Sequence, residues 1–143
     1  MNQSKTVNSW MLAIALTCAL PITTALACGT GQVSADGYEI ATLEHAHNHW
    51  LEGKHSLIPF IFVDVRTREE YAAGHIPGAI NIPVGELVNR LSEVPHDRQV
   101  YVYCEAGVRA ARAGKLLAQH GFTNIEVVPA SMRGWRQARY PVQ

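Results

Sequence analysis

Residues 58–65, IPFIFVDV, form a nearly continuous run of branched and aromatic apolar side chains. A strand with one face in water alternates apolar and polar residues, so a run without alternation belongs to a strand covered on both faces. That need for two covering layers restricts the fold more than any other feature. The run ends in Asp64-Val65-Arg66, a polar exit from a buried strand.

The flanking segments alternate in type. Ala41 to Trp50 reads as a short helix with Thr42 at its N-cap, Leu43, Ala46 and Trp50 on one face, and Gly53 as its stop. Thr67 caps a further short helix through Tyr71 and Ala73, with Glu69 and Glu70 in the first turn, and Gly74 ends it. Ile80 to Ile82 is a short strand, and Pro83 opens a helix reaching about Leu91. Val100 to Tyr103 is a third strand. A helix carrying Ala110, Ala113, Leu116 and Leu117 follows, stopped by Gly121. Ile125 to Val128 is a fourth strand, and Met132 to Ala138 a last helix containing Trp135. This order predicts an α/β fold in three layers, a mostly parallel central sheet with helices on both faces.

The first 27 residues stand apart. Lys5 precedes an apolar run from Trp10 to Ala27, broken by Pro21 and closed by Ala25-Leu26-Ala27, the small-x-small pattern of a secretory signal. Cleavage after Ala27 and export to the periplasm are expected. Cys28 keeps a second outcome open, a lipidated terminus that tethers the domain to a membrane. Residues 28–37, CGTGQVSADG, are small and polar and read as a linker. The 116 residues left after cleavage suffice for one core, at 38–143, and not for two. They carry eleven Lys and Arg against twelve Asp and Glu, a formal charge of −1 that points to no nucleic-acid partner.

Within residues 38–143 Cys104 is the only cysteine, which rules out an internal disulfide there. It stands at a strand end and opens the loop CEAGVR, Cys104, Glu105, Ala106, Gly107, Val108 and Arg109, before a helix. Ligands of doubly covered parallel sheets bind where strands end and helices begin. Main-chain N–H groups in such a turn converge on an anion, and the helix dipole adds partial positive charge. A thiol there ionises readily and is nucleophilic, and Arg109 adds a full charge for an oxyanion. The bland alternatives are an inert core thiol and an arginine paired with a structural carboxylate. Glu105 sets a negative charge beside the sulfur, which works against a dianionic donor.

The blocks FVDVRTREEYAAGHIPGAINIP, Phe62–Pro83, and VYCEAGVRAARAGKLLAQHGF, Val102–Phe122, together resemble the rhodanese homology domain. With the export signal, the chain is most similar to the small periplasmic single-domain rhodaneses of the bacterial phage-shock response. The resemblance implies sulfane-sulfur transfer through a Cys104 persulfide, with no metal or other cofactor. The partners it implies are a small sulfur-donor anion such as thiosulfate, or a persulfide, and a thiol or cyanide acceptor. The backbone of residues 105–109 would cradle the sulfur, with Asp64 and Arg66 in support at a neighbouring strand end. Where the family commonly has Gly-Gly before its last helix and Gly before the final Pro, this chain has Ala130-Ser131 and Arg139.

Two other functions fit the same fold. One is a noncatalytic interaction module. The other is a cysteine-dependent phosphatase, whose loop holds one residue more between Cys and Arg than the four found here. His45, His47, His49 and His55 raise a metal hypothesis, since His45 and His49 share a helix face, but no third ligand accompanies them and an exposed helix face explains the spacing. His75 in GHIPG reads as structural, and Trp50 and Trp135 as core.

Overall fold

The computed structural model describes residues 31–143, so the expected signal segment, its cleavage point and Cys28 lie outside the described residues. Six strands form one sheet: β1 (Gln32–Val33), β2 (Glu39–Ile40), β3 (Phe60–Asp64), β4 (Ile80–Asn81), β5 (Gln99–Tyr103) and β6 (Ile125–Val127). Their spatial order is β1-β2-β6-β5-β3-β4. Every pairing is parallel except the β1–β2 hairpin. The helices are α1 (Leu43–Glu52), α2 (Arg68–Ala72), α3 (Val108–Gln119) and α4 (Ser131–Gln137).

Alternation along β5 divides the interior into two cores. Val100, Val102 and Cys104 face one side, where Ala110, Ala113 and Leu117 of α3 and Leu87 pack against them. Tyr101 and Tyr103 face the other, meeting Ala46 of α1 and Met132 and Trp135 of α4. Burying side chains such as Leu87, Leu117 and Trp135 contributes roughly 1.5–3 kcal/mol each, which is what holds the layers to the sheet. On the α3 side the approach is close: a Cβ on Gly114 would lie 2.5 Å from Val127 Cγ2 and 3.0 Å from Tyr38.

Two expectations about local structure are corrected. The described part of the expected linker, residues 31–37, contains β1, because Gly37 at φ 88° lets the chain turn and Ser34 N–H donates to Tyr38 O (2.8 Å). The helix expected from Pro83 to Leu91 is instead a turn followed by a 3₁₀ segment at Leu87–Glu93, irregular at Arg90. After β4 the chain remains tied to the end of β3, Ile82 N–H donating to Asp64 O (3.0 Å) and Val84 N–H to Val65 O (3.1 Å), so a helix cannot begin at Pro83. Gly85 also weakens helix formation there.

The histidines of α1 are not a wet face. His49 and His45 are both hydrogen-bonded to the Tyr101 hydroxyl (2.8 and 3.1 Å), and His49 also to Ser56 Oγ (2.7 Å). His47 stacks on Tyr140 at 3.4 Å. Buried Tyr101 needs hydroxyl partners, and the α1 histidines supply them, fastening the helix to the sheet. Among the described residues no helix is long and apolar enough to cross a membrane.

Candidate functional site

The chain leaves β3 toward β4 on one side and β5 toward β6 on the other, so the carboxyl ends of β3 and β5 border a crevice. Cys104 directly follows β5 and the Asp64–Arg66 corner ends β3, the two tied where Val65 N–H donates to Tyr103 O (3.0 Å). The topology thus brings the two sequence motifs together. A hollow of about 690 Å³ is lined by Trp50, Pro59, Phe60 and Pro77 and includes no residue of the cysteine loop.

Cys104 is 1% exposed and belongs to the α3-side core, yet its sulfur meets polar groups. Gly107 N–H donates to Sγ (3.1 Å). Burial by itself pushes the thiol up, but the N–H groups of Ala110, Ala106 and Gly107 and the Ser131 hydroxyl outweigh it and hold the thiol below its ordinary value. The amides acting on the sulfur therefore run from the loop into the first turn of α3. Ala110 lies beyond the stretch 105–109 expected to form the cradle, a difference that arises because α3 starts at Val108, inside it.

Gly107 is required by its geometry. Its φ is 92°, and a Cβ would lie 2.6 Å from the Pro129 carbonyl oxygen. Gly107→Ala is therefore expected to lower stability by about 1–3 kcal/mol and to raise the pH at which Cys104 becomes alkylatable, both measurable on one preparation by denaturant unfolding and iodoacetamide kinetics.

Arg109 does not stand free for an anion. It donates two hydrogen bonds to Glu70 of α2 (2.6 and 2.7 Å), each side chain being 34% exposed. Glu70 also completes a capping box with Thr67, and it is pulled down to about 2, chiefly by the Arg109 hydrogen bonds. Arg109 is raised in turn, by Glu70 first and by the Cys104 sulfur to a lesser degree. The charge expected near the sulfur is present, but paired with a carboxylate that the spacing of the chain does not reveal. Because Glu70 is depressed, its contribution is complete above its ordinary value of 4.5 and is lost as pH falls toward about 2. With the pair partly exposed, that contribution is about 1 kcal/mol. Glu70→Gln is expected to flatten this acid limb of the stability-versus-pH curve; an unchanged limb would remove Glu70 from the account.

Glu105 is paired with two arginines. Arg136 Nη2 donates to both its oxygens (2.5 and 2.6 Å), and Arg66 Nη1 lies 3.6 Å from one of them. Its charge is thereby offset, and the penalty expected for an anionic donor is reduced. Ala106 and Val108 are exposed at the loop's surface.

Asp64 and Arg66 are 0% and 2% exposed and form a closed pair. Arg66 donates to Asp64 through Nε (3.0 Å) and Nη2 (2.6 Å), and Nη2 reaches Gly74 O (2.7 Å). Asn81 Nδ2 donates to the Asp64 and Arg66 carbonyls (2.9 and 3.1 Å). This corner holds the loop's surroundings and presents only one arginine nitrogen toward Glu105. His75, as expected, is structural: its main chain exchanges two hydrogen bonds with Gln143 (both 2.9 Å) and its ring stacks on Tyr71.

Ser131, Arg136, Glu70 and Ala110 were not singled out by sequence as parts of this site. The Thr67-x-x-Glu70 spacing signals a cap, not a partner for Arg109. Arg136 arrives on α4 with no local pattern to announce it, whereas Ser131, expected only as a departure in a turn that leaves the cysteine loop untouched, in fact accepts from Cys104 N–H (3.1 Å) and lies 3.8 Å from Sγ.

Comparison with known proteins places these features. The Rhodanese-like domain family model matches residues 47–138. A sulfurtransferase of Allochromatium vinosum is 34% identical over 82 residues, 57% of this chain and 77% of that protein. An HTH-type transcriptional regulator of Mycobacterium tuberculosis is 45% identical over 82 residues, 56% of this chain and 36% of the regulator. The crystal structure of a rhodanese-related protein from Thermoplasma volcanium superposes with a TM-score of 0.65 at 28% identity, covering 74% of this chain and 98% of that one. Against the first curated relatives the chain spans only 36% to 58% of their length.

Proposed function

The chain belongs to the rhodanese-like domain family, and from that premise we propose that it is a sulfurtransferase carrying sulfane sulfur on Cys104. The observation that carries the reading is the Gly107 N–H directed at Sγ (3.1 Å) within a loop that holds the thiol below its ordinary value. A sulfur-transfer role is also supported by the sulfurtransferase among its relatives.

The steps proposed balance without an outside oxidant. The Cys104 thiolate attacks the outer sulfur of thiosulfate, an S–S bond forms to Cys104, and the original S–S bond breaks with its electron pair leaving on sulfite. A persulfide anion remains, held by the same amides. A thiol or cyanide then attacks the outer sulfur, the Cys104–sulfur bond breaks, and the thiolate is restored. A persulfide donor enters by the same exchange with a thiolate as leaving group. Main-chain donors suit both anions because they are fixed before the charge arrives.

Intact-mass spectrometry after donor treatment tests this reading. A gain of one sulfur atom, reversed by cyanide, is expected with thiosulfate or with a persulfide donor. An unmodified thiol with every donor would favour the second reading, a binding module, for which the observation is that a related segment forms part of a transcriptional regulator. Export and maturation after Ala27, with or without acylation of Cys28, belong to the same proposal, and mass analysis of the mature amino terminus decides them.

A further inference from the structure

Ser131 adopts φ 52°, one of two non-glycine residues among those described with positive φ, and it is 1% exposed. An L side chain held in that region marks a position where its side chain is kept for a reason. Its hydroxyl sits among three groups: it accepts from Cys104 N–H (3.1 Å), it donates to Val128 O (2.8 Å), and it lies 3.8 Å from Cys104 Sγ. The start of α4 is bound to the cysteine loop by Met132 N–H to Cys104 O and Arg133 N–H to Glu105 O, both 3.0 Å. The backbone that carries this hydroxyl is therefore fixed against the cysteine loop.

A hydroxyl has a single proton, so it cannot serve Val128 O and the sulfur together. Val128 O also accepts Ser131's own N–H (3.1 Å), and it keeps that partner if the hydroxyl proton turns elsewhere. The rotation thus leaves no buried oxygen unpaired. While Cys104 is a neutral thiol the proton favours the carbonyl oxygen; once the sulfur is negative it is the stronger acceptor.

We propose that Ser131 is a switching hydrogen-bond donor to Cys104, turning from Val128 O to Sγ when the sulfur carries charge, and so sets how readily the nucleophile forms. This deepens the persulfide reading and rests on it for its biological use, although donation to the thiolate stands apart from what the thiolate then attacks. The other charged groups near the loop are Arg109 of α3 with Glu70 of α2, and Arg66 and Arg136 with Glu105. Removing the hydroxyl changes none of these pairs.

The test is the pH dependence of iodoacetamide alkylation of Cys104 in the purified protein. Ser131→Gly suits the positive φ and is expected to fold, while Ser131→Ala keeps the Cβ and loses only the oxygen. Both are expected to move the alkylation midpoint upward and to slow alkylation below it by about tenfold, the lower end of the loss of one hydrogen bond to a charged group. Arg139→Gly, which relieves the other positive φ at 58° away from the sulfur, is expected to leave the midpoint in place. A merely structural Ser131 would alter unfolding stability without moving the midpoint. An unmoved midpoint in Ser131→Gly, or an equal movement in Arg139→Gly, overturns the proposal. Sulfur uptake measured on the same wild-type sample separates the two readings: a midpoint that shifts in a protein taking up no sulfur sinks the sulfurtransferase and leaves the thiolate donor standing.

Discussion

Cys104→Ser is expected to abolish sulfur uptake and to bring transfer down to the uncatalysed background with thiosulfate and with persulfide donors alike. The substitution is close to isosteric and preserves the amide turn, so the fold and its stability should be nearly unchanged. What is lost is the atom. A serine hydroxyl stays protonated where the thiol is held below its ordinary value, and oxygen does not form the sulfur–sulfur bond on which transfer depends. The comparison is therefore between two folded proteins with the same loop, read by turnover and by intact mass. Equal rates in both would show that sulfur travels by another route and would end the assignment of Cys104.

Asp64→Ala is expected to cost about 3–5 kcal/mol of unfolding free energy, because it strands a buried arginine. Arg66 is 2% exposed and makes its principal hydrogen bonds to Asp64, with Gly74 O, the more distant Glu105 and the Tyr103 ring as further neighbours. Asp64 also accepts Arg66 N–H (2.9 Å), so the corner that ends β3 loses its internal brace. Urea unfolding of the single variant measures the cost, and a loss below about 1 kcal/mol would mean that the corner relaxes to let water reach Arg66. A double variant, Asp64→Leu with Arg66→Met, is expected to recover much of the loss, since no charge is then left without a partner. Recovery of stability without recovery of sulfur transfer would give this corner a part in placing the loop as well as in holding the fold.

Much of the architecture follows from local patterns. The unbroken apolar run around Phe60–Asp64 requires covering layers on both faces, and the alternation of strand and helix segments requires parallel pairing. The capping residues Thr42 and Thr67 and the terminator Gly53 stand at the helix ends where their chemistry places them. The segment after Pro83 departs from its local pattern because Val84 N–H goes to Val65 O, a partner supplied from another part of the chain. Likewise β1 depends on a hairpin closed at Gly37 and on the sheet edge offered by β2.

The candidate site divides along the same line. The thiol, the glycine that follows it and the helix start are contiguous, so a turn that aims main-chain amides at the Cys104 sulfur is legible from six residues, Cys104 to Arg109. Contiguous residues share backbone geometry, and backbone geometry is what directs N–H groups at one point. The electrostatic partners are another matter. Glu70 on Arg109, Arg136 and Arg66 on Glu105, and Ser131 on the sulfur come from α2, α4 and the end of β3. From sequence alone Arg109 is either a cation for a bound oxyanion or the partner of an unidentified carboxylate, and Glu105 a repulsive anion; in the folded protein each is largely matched. Local order determined the turn that directs amides at Cys104 Sγ, because turn and helix-start geometry needs no distant residue. Only the packing of α2 and α4 against the sheet decided the charge and hydrogen bonding inside it, because those depend on distances of a few ångströms between segments that sequence separation does not specify.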